Sequence, residues 1–454
     1  MNNNHSVAIL GAGITGLSIA WALKKQGYNI NIYEKRVQPG GKIRSLRENG
    51  WLVEEGPNTM QVRDQRIWEL LDELNLDHRI IEAGSRAKKR YIVRGGQPRP
   101  LPMGLLDFLQ TDLISFRAKL RLLKEPFIAR SQKKDESVAH FIRRRLGPEP
   151  LDYGVNPFVS GVYAGDPKKL SLKHTFTSLF DMERTHGSIS KGFFKRGKKK
   201  TAKRALISFD EGLQILPQTI SEKLMPSLHL NAEVQQMIPS GNEWEIHLRK
   251  EDEILVKEHQ TVISTLPTHV LADVWHGKTA TPLFKKISAI EYAPVSVLAL
   301  GFRREQIQHP LDGFGMLIPE KESSSLLGCL FSSSLFPKRA PENHALLTCF
   351  IGGMRNPDWA TKSTENIKKE ILPQLNTLLD VDGQPVFQQH IFWQQAIPQY
   401  TMGYEDHLQA MAEIESTHPG LFLAGNYRGG VSVPDCILNG LEKAEKVDNF
   451  INNE

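Results

Sequence analysis

The chain has 454 residues, 40% of them apolar and 24% charged, with a formal net charge of +6. That length exceeds what one hydrophobic core ordinarily serves, and the composition is that of a globular protein, which excludes a disordered or fibrous chain. Three cysteines, Cys329, Cys349 and Cys436, with no CxxC pair, indicate neither a disulfide framework nor a zinc site, and fit a reducing compartment.

The first predicted elements lie in VAILGAGITGLSIAWALKKQGYNINIYE, residues 7 to 34. No Lys or Arg precedes this stretch and glycines interrupt it, so it reads as fold and not as a secretory signal. A short apolar strand runs into Gly11, Gly13 and Gly16, a helix follows, and NINIYE forms a second strand ending at Glu34. In this grammar Gly11 permits a tight turn, Gly13 lets a pyrophosphate approach the backbone, and Gly16 lets helix and strand pack closely. The helix N-terminus faces the phosphates, and the acid at the end of the second strand meets a ribose hydroxyl. Two more glycine turns come next, QPGGKIRS with Gly40, Gly41 and Lys42, and WLVEEGPNTM with Gly56, Pro57 and Asn58. Repeated close backbone approach of this kind suits an elongated cofactor.

Residues 100 to 150 are predicted helical, with leucines and phenylalanines set among Arg117, Lys119, Arg121 and Lys124. Such a basic amphipathic face can rest on a membrane surface or be a core face with solvated lysines, and the pattern leaves both open. GFFKRGKKKTAKRAL, residues 192 to 206, reads as an exposed basic loop, and nothing in the chain carries a nucleic-acid-binding signature. ISFDEGLQILPQTISEKL is expected to be a turn plus helix, LHLNAEVQQMI one strand and HQTVISTLP another. VSVLALGF, GFGMLIP and ALLTCFIGG suit an antiparallel sheet. The chain closes on FLAGNYRGGVSVPDCILNGLEKA, a strand ending at Gly425, a glycine turn and a helix beginning near Val431. Its free amides would meet a ligand as the first turn does. Asp435 is read as an early-helix acid, and Cys436 as packing.

The three N-terminal glycine turns resemble the FAD-dependent amine oxidase and protoporphyrinogen oxidase superfamily. GNYRGGVSVPDCI, PFVSGVYAGDPKKLSL, KRYIVRGGQPRPLP and LFSSSLFPKRAP narrow the resemblance to the protoporphyrinogen oxidases. It covers essentially the whole chain. The fold it implies is α/β, with a Rossmann-like FAD-binding domain of the glutathione-reductase and amine-oxidase type, an α+β substrate domain and an inserted helical domain. The implied limits are 1–86, 206–271 and 393–454 for the FAD-binding domain, 87–99 and 272–392 for the substrate domain, and 100–205 for the helical domain, whose membrane contact the pattern leaves open. The resemblance places FAD along Gly11, Gly13, Ile14, Thr15, Gly16, Glu34, Lys35, Arg36, Gly40, Gly41, Lys42, Gly56, Pro57, Asn58 and Thr59. It continues through Val234, Trp393, Gly425, Asn426, Val431, Ser432 and Val433. Arg90 is expected on a substrate propionate, Leu317 and Phe331 around a pyrrole ring, and Ala164 and Gly165 against the substrate through backbone atoms. Many plant enzymes carry a glycine pair at that last point, and Ala164 departs from it.

The implied reaction is a six-electron oxidation of a porphyrinogen, in three flavin-mediated steps, with O2 as acceptor and H2O2 as product. Flavin N5 takes the hydride, so no catalytic side chain and no metal are expected. Protoporphyrinogen IX is the leading substrate and coproporphyrinogen III the alternative; a non-catalytic porphyrin carrier that retains FAD is the reading from another class. The resemblance also leaves room for a cytoplasmic protein peripheral to the inner face of the membrane, a homodimer, and a hand-off to a ferrochelatase.

Overall fold

The structure, a computed structural model, describes residues 5–84, 88–195 and 203–453. Residues 1–4, Arg86, and 196–202 of the basic run lie outside the described residues.

Strand Ser6–Leu10 is the hub of a five-stranded sheet. It pairs in parallel with Asn29–Tyr33 on one side and Thr261–Ser264 on the other. Leu228–His229 and Leu421–Leu423 extend the two edges, also in parallel. A parallel sheet is covered on both faces, which is why Val7 to Leu10 and Thr261 to Ser264 are all solvent-free. Helices Ile14–Lys25 and Val433–Asn453 pack together, and a Cβ on Gly440 would lie 2.9 Å from both Ser18 Cβ and Thr15 O. The first and last segments of the chain thus form one layer. Ligands of such sheets sit beyond the carboxyl ends of the strands, where Gly11, Glu34, Thr265 and Gly425 gather.

Beside this sheet lies a three-stranded antiparallel meander, Glu233–Ser240, Glu243–Lys250 and Glu253–His259. A seven-stranded sheet forms the second large layer, ordered Phe387–Pro398, Tyr292–Arg303, His344–Gly352, Leu326–Phe331, Gly313–Leu317, Lys89–Arg94 and Gln97–Pro100. Helix Thr364–Leu379 covers one of its faces through Ile367, Ile371, Leu375 and Leu379, which recur every four residues and are wholly buried. The sheet is mixed, not purely antiparallel, because Gly313–Leu317 runs parallel to Lys89–Arg94. Between these two strands the chain passes through the helical insert, which begins at Leu105–Gln110 and Phe116–Leu122 and includes Asn156–Tyr163.

Two expected elements divide differently. ISF belongs to strand Ala205–Phe209, which pairs with Met60–Val62 and Ile80–Glu82. LHLNAEVQQMI is two strands in two sheets, because Asn231 takes φ 55° between them and turns the chain.

Candidate functional site

The N-terminal turn is built by contacts that only glycine permits. Gly11 has φ +99°, and its N–H donates to Tyr33 O at 2.9 Å. A Cβ on Gly16 would lie 2.2 Å from Gly11 O, so helix and strand touch at that point. At Gly13 a Cβ would meet nothing within 4 Å; the space beside it is open to a ligand. Ile14 and Thr15 follow in the first turn of the helix, whose leading amides are free of intrahelical partners. Glu34 is buried, and its carboxylate accepts from the N–H of Ala12 at 2.9 Å and of Arg36 at 3.0 Å. Lys35 and Arg36 are exposed at the rim.

The second and third turns stack on the first. Gly40 N–H donates to Ala12 O at 2.8 Å, and a Cβ on Gly41 would lie 3.2 Å from Gly13 Cα. A Cβ on Gly56 would lie 2.0 Å from Lys42 O, and Asn58 Nδ2 donates to Gly56 O at 2.9 Å beside Pro57 and Thr59. The Lys42 ammonium donates to Ala396 O and stands over the Tyr292 ring, 5.4 Å from its centroid. Burial pushes its pKa down to about 8. Among the described residues no carboxylate pairs with it. Trp393 donates from Nε1 to Glu55 O at 2.6 Å, and the Arg36 and Arg44 guanidiniums stand 5.8 Å from its ring centroid. A half-buried cation with no carboxylate partner among the described residues, an open Gly13 and a free helix N-terminus fit an elongated dinucleotide. Val234 is buried beside Tyr33 and Ala232, on the side of the meander next to Glu34.

At the C-terminus the helix begins at Val433, two residues later than its sequence suggests. Ser432 and Asp435 cap it reciprocally: Asp435 N–H donates to Ser432 Oγ and Ser432 N–H to Asp435 Oδ2, both at 3.2 Å. Asp435 is thus bound into the cap. Gly425, Gly429 and Gly430 have φ of +148°, +86° and +132°, which carries the chain round Asn426 toward Val431. Glu415 Oε1 supports the turn from behind, accepting from Leu423 N–H at 2.8 Å, Arg428 at 2.9 Å and Lys443 at 2.7 Å. Cys436 is buried, and burial raises its thiol to about 12, which keeps it un-ionised packing.

One face of the seven-stranded sheet looks toward helix Asn156–Tyr163 and Trp393. Leu317 packs on that helix, where a Cβ on Gly161 would lie 2.5 Å from Leu317 Cδ2. Ala164 ends the helix in the left-handed region at φ 48°, buried with Val295, Val297 and Leu327, and its carbonyl accepts from Met354 N–H at 2.7 Å. Gly165 is buried next to it. Arg90 is exposed, its guanidinium 5.2 Å from the centroid of the Phe314 ring. Phe331 is not brought to this face. Wholly buried, it packs against Tyr91 and His309 in the core beneath helix Thr364–Leu379. A bulge between Leu326 and Gly328 shifts the register by one residue and puts Leu330, half-buried beside Phe314, where simple alternation would put Phe331. The turn support from Glu415 carries no sequence signal that marks it, whereas Gly328, a glycine inside an apolar strand run, is the signal of the bulge that brings Leu330 to this face. Among the described residues no cluster of three His, Cys, Asp or Glu side chains is placed to hold a metal ion.

The sequence profile of the family described as "Flavin containing amine oxidoreductase" matches residues 14–448. The chain is 36% identical to protoporphyrinogen oxidase 2, chloroplastic/mitochondrial, of Arabidopsis thaliana, across 98% of this chain and 94% of that protein. It is 35% identical to the mitochondrial protoporphyrinogen oxidase of Nicotiana tabacum, across 98% and 95%. With coproporphyrinogen III oxidase of Bacillus subtilis (strain 168) the identity is 27% across 96% of each chain. A solved structure from Exiguobacterium sp. 255-15 matches with TM-score 0.81 at 22% identity, covering 98% of this chain and 99% of that one. Reduced UDP-galactopyranose mutase matches with TM-score 0.75 at 18% identity, covering 98% and 94%. At those identities the likeness is one of fold.

Proposed function

The chain belongs to the flavin-containing amine oxidoreductase family, and from that premise we propose that it binds FAD and oxidises protoporphyrinogen IX to protoporphyrin IX, with O2 as acceptor and H2O2 as product. The observation that carries this reading is the end-to-end match to the plant protoporphyrinogen oxidases, spanning both glycine-rich ends of the chain.

FAD would supply the redox chemistry, taking up an electron pair in each of three steps. The chain's own residues position and enclose. The amides that open helix Ile14–Lys25 and the Lys42 ammonium would meet the diphosphate, and Glu34 the ribose. The turn at 425–431 and the amides opening helix Val433–Asn453 would face the flavin ring, where their positive end favours added negative charge. Leu317 and Leu330 offer apolar walls to a tetrapyrrole, backed by Ala164. Arg90, its guanidinium over the Phe314 ring, offers a bidentate contact to a propionate at the rim. No acid–base pair is called for, since the substrate sheds protons by imine–enamine tautomerisation.

Coproporphyrinogen III is the second reading, supported by the full-length match to the Bacillus subtilis enzyme. Oxygen uptake and porphyrin fluorescence, followed on the flavin-loaded protein with each porphyrinogen in turn, separate the two. Faster turnover of protoporphyrinogen IX is the expected result, a preference for coproporphyrinogen III reverses the assignment, and turnover of neither refutes the oxidase reading.

Peripheral attachment to an anionic membrane is part of the proposal. Leu105, Leu106, Phe116 and Leu123 are exposed among basic side chains, and Phe127 and Phe194 are 86% and 91% exposed. No helix among the described residues is long and apolar enough to cross a membrane. Co-flotation with phosphatidylglycerol vesicles, lost at high salt or in a Phe127→Ser variant, is the corresponding test.

A further inference from the structure

The two glycine turns that meet flavin and substrate have few side chains of their own to fix them. Ala164 and Gly165 end one helix, and residues 425–431 lead into another. Both are held by the short segment that follows strand Phe387–Pro398. We propose that Gln399 and Tyr400 are positioning residues that hold the substrate-side turn and the flavin-side turn in one fixed relation; the inference rests on the flavin-oxidase reading above.

The two side chains are buried, at 1% and 4% exposure, and reach in different directions. Gln399 Nε2 donates to Tyr163 O at 2.8 Å and to Ile397 O at 3.0 Å. Its Oε1 occupies space that a Gly165 side chain would need, 2.7 Å from where that Cβ would stand. The Tyr400 hydroxyl donates to Asn426 O at 2.6 Å and accepts from Gly430 N–H at 3.1 Å, so it bridges the two shoulders of the flavin-side turn. Its ring lies 4.6 Å from that of Tyr404, whose hydroxyl donates to Tyr427 O at 2.5 Å. Two successive carbonyls, those of Asn426 and Tyr427, are thereby drawn to the tyrosine side.

The backbone of the segment is fixed as well. Gln399 N–H donates to Glu291 O at 2.8 Å, Ser171 N–H donates to Tyr400 O at 2.8 Å, and Met402 N–H donates to Lys169 O at 2.9 Å. Residues 399–402 therefore join the seven-stranded sheet, the helical insert and the C-terminal turn. A displacement of Tyr400 is passed to the flavin ring and one of Gln399 to the substrate wall.

Tyr400→Phe keeps the ring and removes both hydrogen bonds to the turn. In the full-length chain it is expected to weaken FAD binding about thirty-fold, the worth of two ordinary hydrogen bonds, and to shift the flavin's reduction potential and visible absorption bands. Gln399→Leu is expected to raise KM for the porphyrinogen several-fold while the FAD dissociation constant and the potential stay at their wild-type values. A Tyr400→Phe protein with wild-type FAD affinity and potential overturns the proposal. So does a Gln399→Leu protein whose thermal midpoint falls with KM unchanged, and that arm decides alone if Tyr400→Phe does not fold. A wild-type chain that binds no FAD at all refutes the flavin reading itself, before either variant is made, and this inference falls with it.

Discussion

Gly13 and Gly16 stand three residues apart and have opposite surroundings, which separates holding a cofactor from holding the fold. A Cβ at Gly13, whose φ is −71°, enters open space; one at Gly16 enters Gly11 O at 2.2 Å. Gly13→Val is therefore expected to leave the thermal midpoint of the apoprotein within about 2 °C of wild type, the range of a surface change, and to abolish FAD binding. Gly16→Val is expected to destabilise the apoprotein by about 3 kcal/mol, the cost of overpacking. Differential scanning fluorimetry with and without FAD checks both. These glycines are legible in the sequence because their meaning is carried by the backbone, which the spacing of G-x-G-x-x-G encodes directly. Ala164 is a residue of another kind. Its φ of 48° is a strained position for any side chain, so Ala164→Gly is expected to gain about 1 kcal/mol in chemical unfolding.

At the scale of elements, the strand Leu326–Phe331 shows where sequence reading loses its grip. Alternation is a reliable guide to the two faces of a strand only while its register is unbroken. The bulge at Leu326/Gly328 lies in the pairing with His344–Gly352; its one signal in LLGCLF is Gly328, since a glycine inside a strand often marks a bulge without fixing which way the register slips. The consequence is testable in a pair. Phe331→Ala, which empties a wholly buried site, is expected to cost about 3–5 kcal/mol in denaturant unfolding with KM for the porphyrinogen unchanged. Leu330→Ala, half-buried on the open face, is expected to cost about 1 kcal/mol and to raise KM. If Phe331→Ala raises KM and Leu330→Ala does not, the side-chain assignment of this strand is wrong. The C-terminal cap, by contrast, could be read in advance as far as its type: S-x-x-D before an apolar run marks a helix start, and the structure moved that start only from Val431 to Val433.

The whole molecule draws its central sheet from residues near 6, 29, 228, 261 and 421, and the sequence told of strands at these places without their order. Among the contacts that tie the meander to that sheet is a buried histidine. His259 closes strand Glu253–His259, with Nδ1 2.7 Å from Ser6 Oγ and Nε2 2.9 Å from the Tyr33 hydroxyl. Burial, aided by Lys257 and His229, lowers its pKa to about 4, against about 6.5 in an unfolded chain. Between those values the unfolded chain holds a proton that the native imidazole lacks, so stability rises with pH across the window. The native fold thus keeps this contribution above pH 6.5 and loses it progressively as pH falls through about 4, for a total of about 3 kcal/mol. Two neutral hydroxyl partners cannot offset a buried charge as a carboxylate would, so protonation is expected to loosen the junction between meander and parallel sheet first. Urea unfolding measured from pH 4 to pH 8 checks this: His259→Asn, which keeps a polar group but cannot titrate, should flatten the slope between pH 4 and 6.5. A variant with the wild-type slope would place the acid sensitivity elsewhere in the molecule.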